Sequence, residues 1–210
     1  MKIKTFTIVV LLMIAAVTFS SDIGEIKDGS YINNYFNLKV PVPAKFTALD
    51  EKKRMQLMAQ GANIIAGDDS NLKKMLEASK LNSINLFSFS RYPLGKPVAF
   101  NHSIICIAEN IELYKDGIKS GKDYFYHVKK ILNRGKLKYN FGNTFTPKQI
   151  GECQFESTNL QTKFGNLVIK QKYYLYIYKD YVISIVITFG DDQQRKELEG
   201  ILDTIEIKKP

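Results

Sequence analysis

The sequence predicts an α+β domain: an α/β/α sandwich with a central antiparallel sheet covered by helices on both faces. Three observations predict it. Apolar and polar residues alternate at period two in stretches joined by short, turn-rich links, the pattern of antiparallel hairpins. Amphipathic stretches of helical period are inserted between those hairpins. The stretch YVISIVITF, Tyr181–Phe189, is apolar at nearly every position, as a central strand covered on both sides must be.

The chain opens on MKIKTFTIVVLLMIAAVTFSSDIG. Lys2 and Lys4 give a positive start, residues 6–17 an apolar run, and Thr18, Ser20 and Ser21 a small-residue end. This is the pattern of a secretory signal peptide over residues 1–20, cut near Ser20, and the run is short for a membrane span. No Cys stands near the cut, so a lipid anchor is not indicated. Residues 21–210 then read as one domain, large enough to bury a core without staples. Export places it in the periplasm or outside the cell.

Tyr31-Ile32 and Tyr35-Phe36 flank Asn33-Asn34, which suits a two-residue hairpin turn because Asn tolerates positive φ. FNLKV follows with Phe36, Leu38 and Val40 on one face, and Pro41 and Pro43 end that strand. Residues 50–65 and 72–79 carry apolar positions three and four apart, including Met55, Met58 and Met75, and read as helices broken at Gly67. INLFSFSRY and SIICIAENI are the next strands, with YPLGKP between them. KSGKDYFYHVKKILNRG is a helix. Ser120 and Asp123 form its capping box, Tyr124, Val128, Ile131 and Leu132 its stripe, and Gly135 its stop. GECQFEST and LVIKQKYYLYIY are strands, and Lys179-Asp180 turns the chain into Tyr181–Phe189. Leu198, Ile201, Leu202 and Ile205 form the stripe of a closing helix, with Asp191 and Asp192 at its start.

Charge is unevenly placed. The chain carries +9 overall. Lys115, Lys119, Lys122, Lys129, Lys130, Arg134, Lys136 and Lys138 fall together, opposed there by Asp116 and Asp123 alone. Lys122, Lys129, Lys130 and Arg134 can share one side of the predicted helix and attract an anionic partner, a protein surface or a membrane. Otherwise they form a solvated helix face. Met55 and Met58 offer a second, apolar surface, or core packing. Tyr174, Tyr176 and Tyr178 align on one strand face, either lining a groove or packing beneath a helix. Nucleic acid is a poor partner for an exported chain.

Cys106 and Cys153 are the chain's two cysteines. Export permits a disulfide, which would contribute about 4 kcal/mol in the chain-entropy view. Two buried thiols acting as small hydrophobes are the alternative. The sequence holds no G-x-S-x-G elbow, H-E-x-x-H, P-loop, dinucleotide fingerprint or EF-hand loop. GDDSN at Gly67 has adjacent acids that suit helix capping better than calcium. His102 and His127 are the two histidines, and a Cys–His nucleophile or a metal site would have to be built from these four residues. The expectation is a non-enzymatic chain with no cofactor and no metal.

YINNYFNLKVPVPAKF at the start and YVISIVITFGDDQQRKELEGILDTIEI at the end resemble the opening and closing elements of PsbP-like domains. Phe46 stands where family members usually carry Trp. The resemblance implies an α/β/α sandwich and a role in binding or assembly, as for a photosystem II extrinsic subunit and bacterial envelope proteins. It implies no shared active site. The sequence therefore points to an exported protein that binds, or assists assembly of, a partner in the cell envelope. The alternative is a small-molecule or lipid carrier with a pocket between sheet and helices.

Overall fold

The computed structural model describes residues 24–80, 82–114 and 116–210. The signal-peptide reading of residues 1–20 lies outside them. In chain order the elements are β1 (Glu25–Lys27), β2 (Ser30–Asn33), β3 (Leu38–Pro41), β4 (Thr47–Ala48), α1 (Glu51–Ala66), α2 (Ser70–Lys80), β5 (Ser83–Ser90) and β6 (Ser103–Asn110). Then come α3 (Gly121–Leu132), β7 (Tyr139–Phe141), β8 (Thr146–Ile150), β9 (Cys153–Phe164), β10 (Leu167–Tyr178), β11 (Tyr181–Phe189), α4 (Asp192–Leu202) and β12 (Glu206–Ile207).

The main sheet runs β4-β5-β6-β11-β10-β9-β7, with β8 also paired to β9, and a small sheet runs β1-β2-β3-β12. The pairings are antiparallel. β11 sits at the centre and is buried from Val182 to Phe189, as its two-sided apolar run requires. One face of the main sheet carries α1, α2 and α3, whose Met58, Ile65, Leu72, Phe125 and Leu132 pack on Ile105, Tyr173, Leu175 and Val186. The other face carries α4 together with the small sheet. There Phe36, Leu38, Val40, Leu198 and Leu202 meet Cys106, Phe155, Tyr174, Tyr178 and Ile185. Helices do cover both faces, and the second is shared with four short strands.

The opening differs from the predicted two-residue Asn33-Asn34 hairpin. Asp28 (φ 48°) and Gly29 (φ 71°) turn β1 into β2, and a longer loop ending at Asn37 (φ 47°) turns β2 into β3. Asn33 stays in the strand, buried, and its Oδ1 accepts the Phe36 N–H at 3.0 Å. That bond folds the loop so that Phe36 drops between Tyr35, Tyr178 and Tyr181 at ring separations of 4.8, 5.5 and 5.3 Å. The strand therefore begins at Leu38. β3 ends at Pro41, as the missing N–H dictates.

Candidate functional site

The basic helix α3 is fixed at both ends. Ser120 is its N-cap: its Oγ accepts the Asp123 N–H at 3.2 Å and donates to Asp123 Oδ2 at 2.8 Å. The Lys119 N–H donates to the same carboxylate oxygen at 3.1 Å, so the shorter Asp completes the box. A Cβ on Gly121 would stand 2.7 Å from Leu175 Cβ, so only glycine lets the first turn touch the sheet. There the Lys122 N–H donates to Glu156 Oε2 at 2.9 Å, joining the helix start to β9. Beyond the last turn, the Lys136 N–H donates to Ile65 O at 3.1 Å, and its ammonium pairs with Asp68. Between these ends, Tyr124, Phe125, Val128, Ile131 and Leu132 are buried. Phe125 meets Tyr173, Phe141 and Phe145 edge-on at 5.3, 6.1 and 5.8 Å.

The outward side carries Lys122, Lys129 and Lys130, and Arg134 follows on the turn past the helix end, which comes at Leu132 rather than at Gly135. Lys122, Lys130 and Arg134 are exposed, and Lys129 is half-buried. Lys122 Nζ lies 5.9 Å from the Tyr126 ring centre and Lys129 Nζ 5.1 Å from that of Phe141, both within cation–π reach. Arg134 Nη1 donates to Met75 Sδ at 3.4 Å. Tyr126 is 45% exposed and leans edge-on to Phe145 at 6.2 Å. Among the described residues, none of the four cations forms an ion pair with a carboxylate of the chain.

The methionine surface does not form as predicted. Met55 is 44% exposed, but Met58 is buried in the core, with Asn85 Nδ2 at 3.6 Å from its sulfur. The buried stripe of α1 begins only at Met58, so the two residues of one sequence pattern part company.

Beneath α3 lies a group the sequence reading missed. Glu109 on β6 is buried and accepts the Tyr124 O–H at 2.5 Å. Burial pushes its carboxyl up to about 7, against a smaller downward pull from the Tyr124 hydrogen bond. Burial and then the neighbouring Glu109 carboxyl hold the Tyr124 phenol far above its ordinary value. Ser83, Glu109, Tyr124, His127, Tyr173 and Ser184 line a cavity of about 20 Å³, room for one water molecule. Burial and then Lys130 push the His127 imidazole down. The one available signal for Glu109 was period two: it continues the Ile105, Ile107 face of its strand into the core.

The remaining candidates are structural. Cys106 and Cys153 are free and buried, which corrects the disulfide alternative. Strands β11 and β10 lie between theirs, a span of roughly 14 Å at ~4.8 Å per strand, and a disulfide needs Cα atoms within about 7 Å. Burial pushes both thiols up, away from nucleophilic character. The His102 Nε2 is 2.7 Å from Glu197 Oε2, tying the sheet to α4. Asp69 Oδ1 accepts the Leu72 N–H at 2.8 Å, so GDDSN caps α2. Tyr174 and Tyr178 lie buried under α4 and the small sheet, with Tyr176 packed alongside. No group of three or more His, Cys, Asp or Glu suited to a metal ion occurs among the described residues.

No protein-family model and no curated protein matches the chain. Among solved structures, it is similar to cyanobacterial PsbP of Synechocystis sp. PCC 6803, at 10% identity and a TM-score of 0.49, over 88% of this chain and 96% of that one. It is also similar to LpqN, a Mycobacterium tuberculosis protein involved in cell envelope biogenesis, at 12% identity and a TM-score of 0.42, over 82% of this chain and 83% of that one. No argument about family or function rests on either likeness.

Proposed function

We propose that the chain is an exported, non-enzymatic docking protein of the cell envelope that binds the acidic surface of a protein partner through α3. One observation carries this reading. Lys122, Lys129 and Lys130 stand on a helix anchored at both ends, with Arg134 on the turn that follows it, and among the described residues none of the four pairs with a carboxylate. Clustered like charge costs the free protein self-repulsion, which an acidic partner relieves. The exposed Tyr126 between Lys122 and Lys129 adds an aromatic anchor of the kind enriched at interfaces. Export rests on the signal-peptide pattern of residues 1–20. The carrier alternative draws no support from the space between the sheet and α3, which has room for a water and not a lipid.

The test is affinity capture. The chain from Ser21 is immobilised, crosslinked in an envelope extract, and compared with a column carrying K129E, K130E and R134E together. The reading expects a discrete protein on the first column that is missing from the second. Retention of the same protein by both columns, or of lipid alone, would overturn it.

A further inference from the structure

A second surface lies on the sheet face opposite α3. Four strands in a row place one residue each at matched register: Asn140 on β7 opposite Gln161 on β9, Gln161 opposite Lys170 on β10, and Lys170 opposite Phe189 on β11. Cross-strand partners share a face, and Phe189 belongs to the α4-side cluster. Asn159 lies two residues before Gln161 and so joins the same face. Its cross-strand partner Lys172 is drawn to Glu199 of α4, so the helix covers the sheet up to that point and leaves the shelf beyond it open.

These residues line a pocket of about 350 Å³, at the low end of the ≈ 300–1,000 Å³ range of small-molecule sites. Gly142 closes one side. A Cβ there would stand 2.9 Å from Asn159 O, so only glycine lets the end of β7 lie so close to β9. Elsewhere the chain engages its amides: Asn33 bonds Phe36, Asn101 bonds Tyr92, and Gln171 bonds Thr188. The side chains of Asn140, Asn159, Gln161 and Lys170 make no hydrogen bond or ion pair within the described residues.

We propose that this shelf binds a saccharide. Each amide offers both a donor and an acceptor, and a sugar hydroxyl is also both, so three neighbouring amides on one face match a series of ring hydroxyls. Phe189 also lines the pocket but is only 4% exposed, so it adds an apolar contact at the end of the row and not an open ring face. Lys170 is the one cation present and donates to a ring or carboxyl oxygen. A phosphate ligand would call for convergent backbone N–H groups or an arginine fork, and a lipid for an apolar lining.

The experiment is an amide NMR titration of the ¹⁵N-labelled chain from Ser21, which contains both sheets and all four helices. The probes are a β-1,4-linked N-acetylglucosamine trimer, maltotriose, inorganic phosphate and decanoate, each up to about 10 mM, because weak single-site binding falls in the millimolar range. The proposal expects saturable shifts at Asn140, Gly142, Asn159, Gln161 and Lys170 with at least one saccharide. It expects at least a tenfold weaker response in Asn159→Ala with Gln161→Ala, whose spectrum away from the shelf is unchanged. It is overturned if neither saccharide moves these amides, if phosphate or decanoate alone moves them, or if the double variant binds as well as the parent. None of these outcomes bears on docking through α3.

Discussion

Helices α3 and α4 lie on opposite faces of the main sheet, and each presses an apolar stripe onto it. Phe125 and Leu132 are buried on one, Leu198 and Leu202 on the other. They part in how they use charge. On α4, Arg195 pairs with Asp192 at 3.3 Å and Glu199 at 2.6 Å, Glu199 takes Lys172 at 3.1 Å, and Glu197 takes Arg91 at 3.4 Å and His102 at 2.7 Å. Asp203, at its C-cap, pairs with Lys148 at 2.7 Å. Lys196 is its exposed exception. On the outward side of α3, Lys122, Lys129 and Lys130 have no such partners among the described residues. The difference teaches that α4 uses its charges to hold its own fold, while α3 is held by caps and packing and its cations take no part in that.

Removing an apolar anchor should not distinguish the two helices. Phe125→Ala should cost about 4 kcal/mol and Leu202→Ala about 3 kcal/mol in denaturant unfolding, because each empties a fully enclosed site. A much smaller loss for one would mean that its helix is not part of the common core.

The buried carboxyl sharpens the contrast through pH. Glu109 is raised from 4.5 to about 7 in the fold, so the folded chain keeps a proton that the unfolded chain releases. Stability contributed by the neutral form is fully present below about pH 4.5, falls as pH rises towards 7, and stays lost above it. Glu109→Gln should flatten that decline and stabilise the protein by about 3 kcal/mol at pH 8, with little change at pH 4. Equal stability of parent and variant at pH 8 would show that burial does not raise the Glu109 carboxyl in the fold.

Breaking the α4 network comes next in size. Glu199→Ala strips the partner from Lys172, Arg195 and the Tyr174 hydroxyl, and should cost about 2 kcal/mol. The smallest effects belong to the outward side of α3. Lys122→Gln, Lys129→Gln, Lys130→Gln and Arg134→Gln should each change stability by no more than about 0.5 kcal/mol in thermal melts.

What the sequence disclosed follows from range. The Ser120–Asp123 cap, the stripe of α3 and the two-sided burial of β11 are set by neighbours within a turn or a strand, and each was legible. β9 was read only as GECQFEST, but it runs on through Asn159, Gln161 and Thr162 to Phe164, because β10 and β7 pair with residues whose propensity alone would not extend a strand. β8 carries Pro147 and sits at the sheet margin, so it gave no strand signal. Met55 and Met58 share a spacing, and only the point where α1 meets the core separates them. Glu109 hid inside an apolar run because its partner, Tyr124, arrives from another element. The shelf needed four strands in register before its amides stood together.

The most direct measurement sets α3 and α4 side by side. K122Q/K129Q/K130Q/R134Q and R195Q/E199Q are compared for melting temperature and for retention of the protein captured from the envelope extract. The account predicts that the first variant keeps its Tm within about 2 °C and loses the partner. The second should melt roughly 5 °C lower and, assayed while still folded, keep the partner. If the α3 variant retains the partner, or melts as low as the α4 variant, its cations serve the fold and not a docking surface.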